Sequence, residues 1–248
     1  MKTIDLIAHR GESVDAPENT LAAFRLAWER GAVGIEGDFR LNGDGEIVCM
    51  HDDNARRTTG VDLEIAAASG EEVAALDAGI LKGEQWKGEG VPTLRQVLET
   101  IPAQGRLLLE IKDGPRLVPV LKAELEASGV APAQIVVITF HEDVLGEVRR
   151  QLPELKALLL TGVRQGDDGT PSPSAEDLIA KLEELDAHGV DAGAADCIDA
   201  AYVEAVHARG LEFHVWTVDD IEKARRLSGI GVDSITSNRA HYLAQGLA

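Results

Sequence analysis

Short apolar runs of strand length alternate with amphipathic segments of helical period along most of the chain. The apolar runs begin at Ile4, Val33, Arg106, Ile135, Lys156, Val190, Glu212 and Asp233. Each run is followed by a helical pattern, and this alternation predicts parallel strands with helices packed outside them. With eight such units, the simplest architecture is a closed (β/α)8 TIM barrel. An open doubly wound sheet is the alternative, but the absence of a glycine-rich nucleotide fingerprint after any run disfavours it.

Capping residues and apolar spacing set the bounds of the predicted helices. The first helix is expected to begin after Asn19 or Thr20, to run to about Arg30 and to end at Gly31. Further helices are predicted at residues 92–101, 117–127, 142–151, 175–187, 200–209, 219–227 and 239–246. Residues 162–174 are interpreted as a polar loop because they contain several Gly, Pro and Ser residues.

One segment breaks the alternation. Residues 56–90 are rich in Gly, Ala and Glu and carry no long periodic pattern. We therefore predict an insertion of turns and short helices, spanning about residues 53–91, that covers one end of the barrel. Residues 1–248 are otherwise expected to form a single catalytic domain.

Composition and charge limit the classes of function. The formal net charge of −19 argues against a nucleic-acid partner and against flat docking on an anionic membrane. Apolar residues make up 44% of the chain, which is enough for a large core. No apolar run approaches the length of a membrane span, so no integral membrane segment is expected. The sequence leaves the oligomeric state open.

The cysteines and the N-terminal segment indicate an intracellular protein. Cys49 and Cys197 lie far apart without metal-ligand spacing and are interpreted as reduced, small apolar residues. The first apolar run is short and leads straight into His9 and Arg10, unlike a signal peptide. A cytoplasmic location is therefore expected.

The stretch Val33 to Asp53 concentrates ionisable side chains. An apolar run carries Glu36 and Asp38, a turn follows, and a second apolar run leads to His51. Residues two apart share one face of a strand, so the two carboxylates stand side by side. The turn brings the imidazole back towards them. Taken alone, this pattern fits a solvated hairpin with surface acids equally well.

Polar residues at the ends of other predicted strands favour a site. His9 and Arg10 follow the first strand, Glu110 and Lys112 end the third, and Trp216 ends the seventh. Because barrel active sites are built at the carboxyl ends of the strands, these side chains are expected to meet at one mouth.

Each residue type suits one part of phosphoryl transfer. Glu36, Asp38 and Glu110 would repel one another unless a hard divalent cation lay between them. Arg10 and Lys112 can neutralise phosphate oxygens. The two histidines can titrate near neutral pH, one as base and one as acid.

Other interpretations stay open for individual residues. Glu110 and Lys112 can form a structural ion pair in the barrel floor. Trp216 can belong to the core or lie as a lid over a bound alcohol group, and Phe140 raises the same question. The remaining histidines, which lack a partner carboxylate at ligand spacing and are interpreted as surface or core residues, are His141, His188, His207, His214 and His241.

Short motifs occur in a fixed order along nearly the whole chain. They are AHRG (Ala8 to Gly11), PENTLAAF (Pro17 to Phe24), IEGDFRL (Ile35 to Leu41), MHDDNARRTTG (Met50 to Gly60), LDAG (Leu76 to Gly79), VPTL (Val91 to Leu94), LEIK (Leu109 to Lys112), VWTVD (Val215 to Asp219) and GVDSITSN (Gly231 to Asn238). This order resembles the glycerophosphodiester phosphodiesterase family, whose chemistry is similar to that of phosphoinositide-specific phospholipase C. Any one of the motifs alone would be weak, but their combination is specific.

The resemblance implies a (β/α)8 barrel that hydrolyses glycerophosphodiesters to glycerol 3-phosphate and an alcohol, using Mg²⁺ or Ca²⁺. It implies metal ligands at Glu36, Asp38 and Glu110, an acid/base pair at His9 and His51, and phosphate contacts at Arg10 and Lys112. It also implies that a neighbouring substrate hydroxyl attacks phosphorus and that water then opens the cyclic phosphate.

Three positions depart from the pattern of the family. Asp219 stands where Asn is more usual, Ser237-Asn238 where an Asp is more usual, and Gly37 is smaller than the common residue. These departures are expected to affect the choice of leaving group rather than the reaction. Two rivals remain: a related phosphodiesterase acting on a lysophospholipid or a cyclic phosphate, and a non-catalytic barrel that binds a phosphorylated ligand. Two titratable histidines favour catalysis, since binding alone needs neither.

Overall fold

A computed structural model describes residues 4–167 and 169–247. Its strands are β1 (Asp5–His9), β2 (Gly34–Leu41), β3 (Ile47–Cys49), β4 (Arg106–Ile111), β5 (Ile135–Thr139), β6 (Lys156–Thr161), β7 (Arg164–Gln165), β8 (Pro171–Ser172), β9 (Gly189–Gly193), β10 (Glu212–Trp216) and β11 (Ser234–Ser237). Its helices are α1 (Leu21–Glu29), α2 (Arg56–Thr59), α3 (Gly70–Ala74), α4 (Leu94–Leu98), α5 (Leu117–Ser128), α6 (Glu142–Gln151), α7 (Ala175–Glu184), α8 (Ala200–His207), α9 (Ile221–Gly229) and α10 (Ala240–Leu247).

Eight parallel strands of the described chain close into a barrel in the order β1-β2-β4-β5-β6-β9-β10-β11. The last of these pairs with β1, with Asp5 opposite Ser234 and Ala8 opposite Ser237. This closure confirms the predicted (β/α)8 barrel and excludes the open sheet. β3 lies outside the ring as the antiparallel partner of β2.

Two apolar layers explain why these runs form a barrel. Outside the strands, side chains such as Phe24, Leu109 and Phe213 are fully buried against the helices. Inside the ring, a smaller cluster packs below the mouth: Ile7, Leu108, Val136, Ile138, Leu158 and Leu160. The interior is therefore filled below the carboxyl ends of the strands, where the active sites of such barrels are built.

The segment between β3 and α4 consists of turns, α2, α3 and 3₁₀ turns at Ile65–Ala67 and Glu84–Trp86. It buries a small apolar cluster of its own with Val48 and Met50 from the β2–β3 hairpin. The segment thereby holds the end of that hairpin, where His51 lies, against the barrel.

Local chemistry shortens two predicted helices. Helix α4 begins only after Thr93, which forms a capping box with Gln96, and it ends at Leu98. Helix α7 ends at Glu184, because Asp186 turns the chain with a φ of 53°. The predicted loop at residues 162–174 contains the small antiparallel pair β7 and β8, and its residue 168 lies outside the described residues.

Among the described helices, none has both the length and the apolar character needed to cross a bilayer.

Candidate active site at the mouth of the barrel

A cavity of about 310 Å³ opens at the carboxyl ends of the strands. Seven of the predicted site residues line it: His9, Arg10, Glu36, His51, Glu110, Lys112 and Trp216. The eighth, Asp38, is 0% exposed and lies behind the wall. A larger hollow at the opposite end of the barrel contains none of these residues. The structure thus brings the whole predicted set to one place.

Three carboxylates form a compact cluster. Glu36, Asp38 and Glu110 each place one oxygen within 4.8 Å of the others. Glu36 Oε1 and Asp38 Oδ1 are buried without a hydrogen-bond partner. Burial, together with the neighbouring charges of Asp38 and Glu110, raises the pKa of Glu36 well above its usual range. Unpartnered, crowded carboxylate oxygens are the donor set that a hard divalent cation prefers.

Asp38 is the carboxylate that the protein holds ionised. Burial favours its neutral form, but Arg10, His51 and Lys112 outweigh burial and lower its pKa. Arg10 Nε lies 3.1 Å from Asp38 Oδ2, and Lys112 Nζ lies 3.6 Å from Asp38 Oδ1. Asn19 Nδ2 donates to Asp38 Oδ2 at 2.8 Å, while Asn19 Oδ1 accepts from the Asp38 backbone N–H at 3.2 Å. Asn19 therefore fixes the position of this carboxylate.

Glu110 lies beside Lys112, as the shared strand face predicts. Lys112 Nζ donates to Glu110 Oε1 at 2.7 Å. Burial and Asp38 nevertheless raise the pKa of Glu110 to about 7. One lysine thus contacts both Asp38 and Glu110, which is compatible both with a phosphate contact and with a structural ion pair.

The turn after β1 aims Arg10 into the cluster. Arg10 has a φ of 56° and Gly11 a φ of 79°, so both lie in the left-handed region. A Cβ on Gly11 would lie 2.5 Å from the Ala23 carbonyl carbon, so only glycine fits this close approach to α1. The same turn lets the Arg10 backbone N–H donate to Glu36 Oε2 at 2.9 Å.

A chain of ion pairs connects Arg10 with His51. Arg10 Nη1 contacts Glu18 Oε1 at 2.9 Å, and Arg57 contacts both Glu18 at 2.7 Å and Asp52 at 2.6 Å. Asp52 Oδ1 lies 2.6 Å from His51 Nδ1. Partial burial opposes ionisation of Asp52, but hydrogen bonds with Arg57 and His51 lower its pKa to about 2. An ionised Asp52 thus orients the His51 ring.

His9 is held by two of the residues that depart from the family pattern. Asp219 accepts hydrogen bonds from the Asn238 backbone N–H at 2.9 Å and from Asn238 Nδ2 at 2.8 Å. Since a carboxylate only accepts, the amide nitrogen of Asn238 faces Asp219 and its Oδ1 faces His9 Nδ1, at 2.7 Å. His9 Nδ1 must therefore carry the proton, which leaves Nε2 of the neutral ring unprotonated, 3.9 Å from Glu36 Oε2.

Two further observations concern His9 and Gly37. Burial, followed by the charge of Arg10, lowers the pKa of His9. The third departure, Gly37, faces away from the cavity: a Cβ there would lie 3.1 Å from Phe24 Cζ and 3.4 Å from Cys49 Sγ. The departures therefore concern the support of His9 and the outer packing, and their effect on the choice of leaving group stays a prediction.

Trp216 forms part of the far wall of the cavity. Its Nε1 donates to the Asp191 carbonyl oxygen at 3.1 Å. The Phe140 ring meets it edge to face, with centroids 5.8 Å apart and planes at 87°, and Phe140 itself is 47% exposed. Both aromatic residues line the cavity, and Trp216 also packs against the apolar cluster inside the ring, so its position is compatible with both interpretations.

Sequence reasoning missed Asp191 and Thr236, which also line the cavity. A possible signal was an acidic residue in the middle of the predicted strand at Val190. Two of the other histidines contact carboxylates in the fold, although no group of metal-ligating side chains in the described part of the chain includes them. His207 Nε2 lies 2.9 Å from Asp233 and His214 Nε2 lies 3.1 Å from Glu212, and neither histidine lines the cavity.

Residues 9–241 match the Glycerophosphoryl diester phosphodiesterase family. A glycerophosphodiester phosphodiesterase from Caldanaerobacter subterraneus subsp. tengcongensis is 35% identical over 96% of this chain and 95% of its own.

Solved structures agree with this match. A phosphodiesterase from Oleispira antarctica, in complex with the product sn-glycerol-3-phosphate, superposes with a TM-score of 0.88. It is 29% identical and the match covers 98% of this chain and 96% of that one. A glycerophosphodiester phosphodiesterase from Agrobacterium tumefaciens gives a TM-score of 0.83 at 26% identity, over 98% of this chain and 100% of that one. The chain therefore belongs to the glycerophosphoryl diester phosphodiesterase family.

Proposed function

We propose that this protein hydrolyses glycerophosphodiesters to glycerol 3-phosphate and an alcohol, with a divalent cation and the two histidines of the mouth. The observation that carries the proposal is the convergence of two imidazoles, three clustered carboxylates, one guanidinium and one lysine side chain at one mouth. A binding protein needs no such pair of proton-transfer groups.

Glu36, Asp38 and Glu110 would hold the cation, either Mg²⁺ or Ca²⁺. The fit rests on the two buried oxygens that form no hydrogen bond, Glu36 Oε1 and Asp38 Oδ1. When all are ionised, the three carboxylates, Arg10 and Lys112 have a summed charge of one negative unit. A bound divalent cation would change this sum to one positive unit, which is opposite to the charge of a phosphodiester. When bound, the cation supplies Lewis-acid polarisation of a phosphoryl oxygen.

The hydrogen-bond network supports different roles for the two histidines. His9 presents an unprotonated Nε2, and burial favours its neutral form, so it takes the proton from the attacking hydroxyl. His51 is paired with the Asp52 carboxylate and gives a proton to the departing alcohol oxygen. By resemblance to phosphoinositide-specific phospholipase C, the attacking group is a neighbouring substrate hydroxyl. Water then opens the cyclic phosphate, and the two proton transfers run in reverse.

Arg10 and Lys112 would contact the phosphoryl oxygens from the side of the carboxylates with which they form ion pairs. Trp216 would cover the alcohol group. A cytoplasmic location and the absence of a nucleic-acid partner stay predictions, and the oligomeric state stays open.

The test is the turnover of a panel of substrates: glycerophosphocholine, glycerophosphoethanolamine, diglycerol phosphate, a cyclic phosphate and lysophosphatidylcholine. A coupled glycerol 3-phosphate dehydrogenase reports the glycerol 3-phosphate formed from the first four, and release of choline reports cleavage of lysophosphatidylcholine, whose other product is lysophosphatidic acid. We expect turnover of the glycerophosphodiesters, loss of turnover in EDTA and its return with Mg²⁺ or Ca²⁺. Release of phosphocholine and glycerol instead would place the cleavage on the wrong side of phosphorus. Turnover of lysophosphatidylcholine alone would favour the related phosphodiesterase activity.

A further inference from the structure

Arg57 binds two carboxylates at once, and each of them contacts a residue of the cavity wall. Its Nη1 and Nη2 donate to the two carboxylate oxygens of Glu18 at 2.8 and 2.7 Å. Its Nε donates to Asp52 Oδ2 at 2.6 Å, and Nη2 lies 3.3 Å from Asp52 Oδ1. A guanidinium presents five donors in a rigid fork, so it holds two carboxylates in a fixed arrangement, which the point charge of a lysine cannot do.

The two carboxylates do not depend on Arg57 to the same degree. Glu18 also contacts Arg10 Nη1 at 2.9 Å, and Arg10 pairs with a carboxylate of the metal cluster at 3.1 Å. Among the described residues, the Asp52 side chain has only two partners, Arg57 and the His51 ring. Loss of the Arg57 guanidinium would leave Arg10 in place, but Asp52 would be held only by the imidazole that it orients.

Arg57 reaches this position from the insertion. It lies on α2, and Thr59 of the same helix donates from Oγ1 to the Ala55 carbonyl oxygen at 2.9 Å. Ala55 is 0% exposed and belongs to the apolar cluster that the insertion forms with the β2–β3 hairpin. Thr58 Oγ1 donates to Met50 Sδ, in the residue before His51, at 3.6 Å. The helix is therefore fixed to the same hairpin end that carries the imidazole.

The contact with Asp52 decides which nitrogen of His51 is available. His51 Nδ1 lies 2.6 Å from Asp52 Oδ1, so Nδ1 donates to the carboxylate and Nε2 is left to give a proton to a substrate. The Asp52 side chain is 28% exposed, so without a second partner it is free to turn towards solvent. We propose that Arg57 is a positioning residue for the acid step: through Asp52 it holds His51 in the orientation that gives a proton to the departing alcohol. This inference rests on the proposed function and gives the insertion a part in the reaction.

The experiment measures release of the alcohol in single turnovers, with enzyme in excess and Mg²⁺ present, from two diesters of glycerol 3-phosphate. One carries choline, whose oxygen needs a proton as it leaves, and the other carries p-nitrophenol, which leaves as the anion. Arg57→Met should lower the maximal rate of choline release about tenfold, the equivalent of about one hydrogen bond. The half-saturating enzyme concentration and the rate of nitrophenol release should both stay within about twofold of the wild type, because only the acid step is affected.

Arg56→Met is the matched control. Arg56 is the neighbouring residue on α2, and its side chain pairs with Asp62 instead of the two carboxylates near the mouth. This variant should keep wild-type rates on both diesters. Asp52→Ala should reproduce the pattern of Arg57→Met. The double variant of Arg57 and Asp52 should lose little more than the worse single one, because both residues act through the same contact.

Three outcomes would overturn this role. The first is an unchanged rate or an equal loss on both diesters, since the contact would then be only structural. The second is a higher half-saturating concentration with an unchanged maximal rate, which would assign Arg57 to Arg10 and the phosphate. The third is a pair of losses that multiply in the double variant, because Arg57 and Asp52 would then act independently.

If Arg57→Met does not fold, Arg57→Gln, a polar replacement, is measured in its place and judged by the same outcomes. Failure of the proposed function would look different: the wild type itself would release neither choline nor glycerol 3-phosphate from glycerophosphocholine.

Discussion

Replacing Asp191 with Asn should change how the stability of the protein depends on pH. The side chain is 1% exposed, and burial raises its pKa to about 7, from about 3.9 in an unfolded chain. Between these values the folded state keeps a proton that the unfolded state has released. The free energy of unfolding of the wild type therefore falls as pH rises from about 4 to about 7 and levels off above that.

The size of the effect follows from this interval. At 1.36 kcal/mol per pH unit, the difference between the folded and unfolded pKa values corresponds to at most about 4 kcal/mol in the free energy of unfolding. For a chain of this length, 1 kcal/mol shifts the melting temperature by about 2–4 °C, so the full effect is on the order of 10 °C. Asn has nearly the same shape and does not ionise. Asp191→Asn should therefore be more stable than the wild type at pH 8, and the difference should shrink as pH falls.

Thermal unfolding followed by circular dichroism at several pH values between 5 and 8, in EDTA, measures the difference directly. Glu154→Gln, at an exposed position, is the control and should show no trend with pH. A difference between Asp191→Asn and the wild type that stays constant from pH 5 to pH 8 would refute the reasoning. A less stable variant at pH 8 would mean that ionised Asp191 has a partner.

Three other predictions address the catalytic side of the cavity. Glu36→Gln should lose activity that excess Mg²⁺ or Ca²⁺ partly restores, because two of the three carboxylates remain; full activity in trace metal would contradict the metal site. Lys112→Met should mainly raise KM in steady-state assays if the lysine contacts phosphate equally in ground and transition states, whereas wild-type kinetics would assign it to a structural pair with Glu110. Asn238→Leu should lower kcat about tenfold with little change in KM, because His9 loses the acceptor that sets its protonated nitrogen, and Asn238→Asp should restore part of it; equal kcat in both variants would rule out that role.

The barrel was predictable because its signal is local. Strands buried on both faces read as short apolar runs, and the period of two places Glu36 beside Asp38 on one face. Helix ends were harder, because one capping box at Thr93 decides where α4 begins. The strand-end rule for barrels then placed the histidines and cations correctly at one mouth.

The contacts that hold the site residues in position were not predictable from the sequence. The contact between His9 and Asn238 joins residues 229 positions apart, and no periodic pattern reports it. The sequence shows that Asp219 and Asn238 differ from the residues usual in the family, but only the hydrogen bonds between them explain why both occur. Asp191 looked like an ordinary polar residue in a weak strand, and only the closed barrel places its side chain in the cavity.

The measurement that tests the central claim most directly is the rate of His9→Ala and His51→Ala on two substrates. On glycerophosphocholine, each variant should lose at least about a hundredfold in kcat, since each imidazole moves one proton. On a nitrophenyl phosphodiester, whose leaving group needs no acid, His51→Ala should recover much of its rate and His9→Ala should not. Equal losses on both substrates for both variants, with an unchanged pH profile, would contradict the acid/base assignment and leave the two histidines as binding residues.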